Sequence, residues 1–529
     1  MARHPEPLSG KTTSPHSVAQ LPVVELKSRA ALPLYEQLYL GLRDQILRGW
    51  LAQGARLAST RTLADHLAVS RFTVVTALER LVAEGYLTTR AGSGTYITST
   101  LPEQHMRPAR RERAPLPRRD DAVPALSARG RTVASVWITG PRPEEPRAFQ
   151  PRRAPLDAFP VRTWSTIVRR LWNRGGYKLL EYGEPAGYWP LRQAIAEHIA
   201  VTRAVRCDPQ HVIVTSGSQQ AFDLLFRVLL DPGDRAWIEE PGYLDVRAAL
   251  MVAGAELVPV PVDGEGIDVS AGIRLAPNAR VAVVSPSHQY PAGVTLSATR
   301  RMELLNWARA SGAWIVEDDY DSYFRYAGRP MSALHGVDRA APQRAQVIYV
   351  GTFSKTVFPS LRLGFCVVPD SLVDAVVNAR AVADRNSPIV DQAALAEFIT
   401  AGHYERHLRR LRMICQERHH AMRRHFAHSL GERVVLSPAS AGTHVLGYFG
   451  GRRSDPDNGL AARVASLAAA EGLVVFPLSR YCLTPPSRDA LVLGFGGLSP
   501  RRIATGAEQL AAIVRRARQQ RPRAPANRR

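Results

Sequence analysis

The sequence predicts an α/β protein in which a mainly parallel sheet, covered by helices, follows a small helical domain. Three observations predict it. Six short apolar runs recur after residue 148: HVIVT (211–215), RAWIEE (235–240), ARVAVVS (279–285), AWIVEDD (313–319), QVIYVG (346–351) and LGFCVV (363–368). Helical patterns such as AFDLLFRVLL and ATRRMELLNWARAS separate several of them, and strand and helix in alternation give a parallel sheet with covered faces. A compact, proline-poor stretch at 31–99 is set apart by a Pro- and Arg-rich segment at 100–147 that has no sustained period, as a linker should.

The small domain opens on a first helix, PLYEQLYLGLRDQILRGWL. Ser59 is placed to cap a second helix with Leu63 and Leu67 on one face, and a turn through Ala68 and Val69 reaches Ser70, the N-cap of a third. Val74, Leu78, Leu81 and Val82 line the buried side of this third helix. Arg71, Thr73 and Thr76 remain near its open N-terminal end, where a reading helix meets bases and phosphates. Gly85 stops it, and YLTTRAGSGTYI reads as two short strands around a glycine turn.

The large domain is expected over 148–515, followed by a basic, acid-free tail at 516–529 that reads as disordered. The net charge of +22 suits a polyanionic partner, an argument that gains force from a reading element beside it. No long apolar run and no signal-peptide core appear, which points to a cytoplasmic protein with no membrane partner. The four scattered cysteines form no CxxC pair, so neither a disulfide framework nor a metal site is indicated.

Lysine is rare. Of 69 Lys+Arg, only Lys11, Lys27, Lys178 and Lys355 are lysine. A lysine amine can lose its proton and attack a carbonyl, whereas guanidinium stays charged. Lys355 lies in GTFSKTVFPSLR (351–362), just beyond an expected strand, where open α/β sheets bind ligands. The other three read as solvated charges. After 211–215, TSGSQQAF turns at a glycine into a helix whose free N–H groups suit a phosphate. EDDYDSYF supplies an acid and a phenol after 313–317, and Arg362 is placed to close on a phosphate. A phosphate cup, a carboxylate and a Schiff-base lysine at strand ends compose a site for pyridoxal 5′-phosphate.

Residues 31–99 resemble the winged helix-turn-helix of the GntR superfamily, on VSRFTV at the turn, LVAEGYL and RAGSGTYI; LAST (57–60) departs from the usual Leu-Pro-Ser. The resemblance implies binding to double-stranded DNA operator half-sites through Arg61, Ser70, Arg71 and Thr73, with wing contacts at Gly92 and Gly94. Residues 148–515 resemble the fold type I aminotransferases. That implies Lys355 in Schiff-base linkage to pyridoxal phosphate, Asp318 on the pyridine nitrogen, Tyr320 on the ring hydroxyl and Tyr243 stacked on the ring. Ser218, Gln219, Thr352, Ser354 and Arg362 would hold the phosphate, and Tyr182 would reach the neighbouring subunit's cofactor in a homodimer.

The fusion of the two, with SPSHQYPAG, EDDYDSYFRY and GTFSKTVFPSLRLGF, is similar to the MocR-type regulators. That implies a transcription regulator whose large domain senses pyridoxal phosphate, or its product with an amine or amino-acid effector. Two departures from aminotransferases bear on turnover: Tyr290 stands before Pro-Ala-Gly where they carry asparagine, and Val492 where they carry a carboxylate-binding arginine. Without that clamp a substrate is poorly oriented, which disfavours repeated transamination. The alternative is a working aminotransferase with an autoregulatory DNA-binding domain. Arg480 reads as a surface residue that could substitute for the clamp, and His288 as a loop histidine.

Overall fold

The computed structural model describes residues 21–27, 32–102, 125–136, 147–328, 331–338, 345–450 and 459–520. The chain divides into two compact units, Met1–Ala125 and Leu126–Arg529. Lys11, most of the expected linker and residues 521–529 of the expected tail lie outside the described residues.

In the first unit, α1 (Leu34–Leu47), α2 (Thr60–Leu67) and α3 (Arg71–Ala83) precede β1 (Leu87–Arg90) and β2 (Gly94–Ile97), which pair antiparallel. Leu38, Leu42 and Ile46 of α1 share a core with Leu63 of α2 and Val74, Leu78 and Leu81 of α3, the spacing of one apolar helical stripe each. Ser59 and Ser70 cap α2 and α3, each accepting a backbone N–H three residues on. Ala68, left-handed at φ 52°, makes the sharp turn between them. This domain begins earlier than residue 31, because the Gln45 amide donates to the Val23 carbonyl at 2.6 Å and Val24 packs on Gly41. It also ends later, since Leu101 is buried in the same core.

The second unit is built on an eight-stranded sheet: β3 (Val212–Thr215), β4 (Arg235–Glu240), β5 (Glu256–Asp263), β6 (Gly266–Ile267), β7 (Val281–Val284), β8 (Trp314–Asp319), β9 (Val347–Thr352) and β10 (Gly364–Val367). Their order is β3-β10-β9-β8-β7-β4-β5-β6. Strands β9, β8, β7, β4 and β5 run parallel; β10 is antiparallel to both its neighbours, and β6 to β5. Helices cover both faces, so the central strands are buried on both sides and read as unbroken apolar runs. Trp237 of β4 stacks on Trp307 of the helix Ala298–Ser311, with ring centroids 3.7 Å apart.

A smaller antiparallel sheet, β11 (Val434–Leu436), β12 (His444–Phe449), β13 (Phe476–Pro477) and β14 (Ala490–Gly494), is ordered β11-β12-β14-β13. It shares a core with the helices His403–Ser429, Leu460–Ala470 and Pro500–Gln519. The last helix runs past the boundary expected at 515, because Ala517 is still buried on its apolar stripe. The expected linker also holds a helix, Ala128–Ser135, capped by Ser127, with no buried residue. An element that buries nothing leaves no apolar period to read. Among the described residues no helix is long and apolar enough to cross a membrane.

Candidate cofactor site and nucleic-acid interface

At the carboxyl ends of the parallel strands the sequence-predicted residues converge. Gly217, at φ 91°, caps the helix Ser218–Leu229, and a Cβ there would come within 3.1 Å of the Arg362 guanidinium. Arg362 donates to the Ser216 carbonyl at 2.7 Å and is itself left-handed at φ 52°. Its guanidinium therefore lies against the first turn of a helix whose N–H groups are free, an anion cup of one helix end and one fixed cation. Ser218 is at that first turn. Across from it, the Thr352 hydroxyl bonds Ser354 at 3.1 Å and accepts the Ser354 N–H at 3.2 Å. The Gln219 side chain donates to the Asp245 carbonyl at 3.1 Å.

Lys355 follows β9, and its Nζ donates to the Arg152 carbonyl at 2.6 Å. The three acids of β8 are treated unequally. Glu317 accepts the N–H groups of Leu334 and His335, and Asp319 accepts Arg203 at 2.7 Å and the Tyr349 hydroxyl at 2.5 Å. Asp318, pointing to the opposite face of the strand, is 5% exposed and its Oδ1 has no hydrogen-bond partner. Burial, then the charges of Asp319, Glu239 and Asp321, push its pKa well above the usual carboxylate range, and Arg152 opposes them. A buried oxygen with no partner is the observation that tests the cofactor: a protonated pyridine nitrogen is the donor it lacks. The residues present fit pyridoxal phosphate.

Tyr243 and Tyr320 stand beside this carboxyl group. The Tyr243 hydroxyl donates to Asp245 at 2.6 Å, and the Arg152 guanidinium lies over its ring at 4.7 Å while bonding Asp245 at 2.8 Å. A ring that stacks on the same face of Tyr243 must displace Arg152. The Tyr320 hydroxyl meets His288 Nδ1 at 3.1 Å. Tyr182 is elsewhere, 79% exposed, with the Arg385 guanidinium 4.9 Å from its ring centre.

Two residues of this region, Arg152 and His444, escaped the sequence reading. Arg152 comes from the segment before the large domain's first helix and carries no motif. His288 lies in a loop, as expected, but is buried at 2% exposure and bonded to Asp321 at 2.9 Å. His444, also 2% exposed, has its ring centre 5.0 Å from that of His288. Its strand, β12, has no sequence signal that ties it to the site. Arg480 lies over the Phe476 ring at 4.6 Å. Val492 is fully buried with Tyr290, Leu446 and Tyr481.

In the first unit Arg61, Arg71 and Phe72 are exposed at the starts of α2 and α3. The Arg71 Nε donates to the Thr60 hydroxyl at 3.3 Å, which holds the guanidinium near both helix N-termini. Ser70 spends its oxygen on the cap, accepting the Thr73 N–H at 3.1 Å, and the two hydroxyls meet at 2.9 Å. Gly92 and Gly94 take φ 72° and 112° in the β1–β2 turn, and the Arg56 guanidinium lies where a Cβ on Gly94 would project. The arrangement presents helix ends and cations together, as phosphate binding requires.

The GntR family of bacterial regulatory proteins matches residues 34–97, and the aminotransferase class I and II family matches residues 169–488. A probable rhizopine catabolism regulatory protein, MocR of Rhizobium meliloti, is 37% identical over 91% of this chain and 94% of its own. The chain belongs to the MocR-type regulators. The pyridoxine biosynthesis transcriptional regulator PdxR of Corynebacterium glutamicum is 30% identical over 90% of this chain and 95% of its own. Among solved structures, the α-aminoadipate aminotransferase LysN of Thermus thermophilus, complexed with N-(5′-phosphopyridoxyl)-L-leucine, superposes with a TM-score of 0.63. It is 26% identical, over 74% of this chain and 96% of its own. The protein is thus a transcription regulator with a DNA-binding winged helix and a fold type I aminotransferase-like domain.

Proposed function

We propose that this MocR-type regulator senses pyridoxal 5′-phosphate, alone or together with a primary amine that reacts with it. The Asp318 carboxyl, buried beside Tyr320 with its Oδ1 unpartnered, carries the reading. Bound there, the cofactor supplies an aldehyde that condenses reversibly with primary amines.

The chain's own residues do the rest. Asp318 holds a proton on the ring nitrogen and Tyr320 donates to the ring hydroxyl. Ser218, the Gln219 N–H, Thr352, Ser354 and Arg362 bind the phosphate, and Lys355 supplies the amine. Tyr243 stacks on the ring once Arg152 has moved. The buried, apolar setting of Val492 supports sensing over turnover, since β14 offers no cation to orient a carboxylate.

In this reading the winged helix reads operator half-sites through Arg61, Arg71, Thr73 and the wing at Gly92 and Gly94. The cytoplasmic protein acts as a homodimer, which the exposed Tyr182 ring supports. Cofactor or amine shifts the balance between DNA-binding arrangements. The experiment is the visible absorption of the cofactor-loaded protein. Lys355→Ala abolishes the band while circular dichroism is retained; a mutant that stays yellow after exhaustive dialysis contradicts the lysine's role.

A further inference from the structure

The open side of α3 is short of free hydrogen-bonding groups. Its buried stripe is Val74, Ala77, Leu78 and Leu81, which leaves Arg71, Phe72, Val75 and Thr76 on the more exposed side of its first two turns. The hydroxyls of this stretch are engaged within the helix. Ser70 and Thr73 meet at 2.9 Å, Ser70 also accepts the Thr73 N–H, and the Thr76 hydroxyl donates to the Phe72 carbonyl at 3.0 Å. The Arg71 Nε is turned to Thr60. What remains on offer is a phenyl ring. Phe72 is 79% exposed, more than any other aromatic residue described in the first unit, where Trp50 follows at 68%. A solitary exposed apolar side chain needs no explanation by itself; its place at the start of the reading helix is what gives this one meaning.

We propose that Phe72 reads thymine in the operator by packing its ring on the C5-methyl group in the major groove. The inference rests on the DNA-reading role of the winged helix and names a base that this helix recognises.

The chemistry of the groove selects this occupant. Base pairs present hydrogen-bond donors and acceptors there, and one apolar group, the thymine methyl. A phenyl ring has no conventional donor or acceptor, so neither the other base edges nor a bridging water can take the place of that methyl. Arg71 adjoins Phe72 and Arg61 follows the Thr60 that Arg71 bonds; both are exposed and neither forms an ion pair among the described residues. They suit phosphates, the contacts that fix the register of a reading helix. A second copy of this chain would instead bring the same cations against them. An apolar wedge between base steps enters from the minor groove, whereas the second helix of a helix-turn-helix lies in the major groove.

The test uses the full-length protein and the DNA upstream of its own gene, footprinted first to locate the protected thymines. Each is then replaced by deoxyuridine, which removes the C5-methyl group and keeps the base pair, and affinity is read by fluorescence anisotropy at fixed salt. At one or two thymines per half-site the replacement should weaken wild-type binding about 3- to 5-fold, the worth of one buried methyl group. Phe72→Ala should bind thymine DNA more weakly than wild type by a similar factor and lose nothing further on deoxyuridine. Phe72→Leu, which keeps an apolar contact, should retain part of the sensitivity. Both variants should melt with wild type, because the side chain is exposed. The proposal is overturned if no deoxyuridine weakens wild-type binding, or if Phe72→Ala suffers the same penalty as wild type. A rise in 2-aminopurine fluorescence on binding that Phe72→Ala abolishes also overturns it, since that marks a wedge unstacking the bases. Failure to protect any DNA contradicts the DNA-reading role itself, an outcome distinct from protection that ignores the methyl group.

Discussion

Asp318 bears a burial cost that no hydrogen bond to its Oδ1 offsets, whereas Glu317 accepts two backbone N–H groups and Asp319 Oδ2 accepts Arg203 and Tyr349. In the cofactor-free protein that cost is uncompensated, so Asp318→Asn should stabilise it at pH 8 by about 1–3 kcal/mol, a rise of several degrees in melting temperature. The same change should weaken cofactor binding, because asparagine cannot hold a ring proton by charge. Glu239 adds a pH dependence of known sign. Burial raises its pKa to about 7, against the hydrogen bonds from Ser285 and Gln289. An acid whose folded pKa is raised contributes stability below its unfolded pKa near 4.5 that is lost as pH climbs through 7. Thermal melts of the cofactor-free protein should therefore fall between pH 5 and 8, and Glu239→Gln should flatten that slope.

The elements differ in how far the sequence reveals them. Strands β4 and β8 and the helix Ala298–Ser311 are legible because apolar runs of the right length end at turn or cap residues: Pro241, Ser297 and Gly312. Strand β5, ELVPVPVD, is not, because Pro259 and Pro261 contradict a strand pattern and are tolerated only where a proline leaves no needed N–H unmet. Lys355, Asp318 and Tyr320 could be placed because each follows or ends a readable strand. Arg152 and His444 could not, because they enter the site from segments distant in sequence, and only packing joins them to it. For the reading element, Ser70→Ala removes the α3 cap and should cost about 1 kcal/mol in a thermal melt of the first unit. Arg71→Ala should leave folding intact, weaken DNA binding at every sequence tested and reduce the log-log salt slope by about one.

As a whole molecule, the chain joins a charge-driven DNA reader to a domain that holds a small, reactive cofactor. The net charge of +22 favours any nucleic acid, so affinity alone says little about regulation. What defines a regulator is a coupling: ligand in the large domain must change DNA binding, and DNA must change ligand affinity by the same factor. The most direct measurement is a footprint of the purified protein on DNA upstream of its own gene, with and without pyridoxal phosphate and then with an added amine. The account predicts protection of paired half-sites whose extent or affinity changes when the cofactor, or the amine acting on it, is present. Protection identical under all three conditions, or no protection at all, would contradict it.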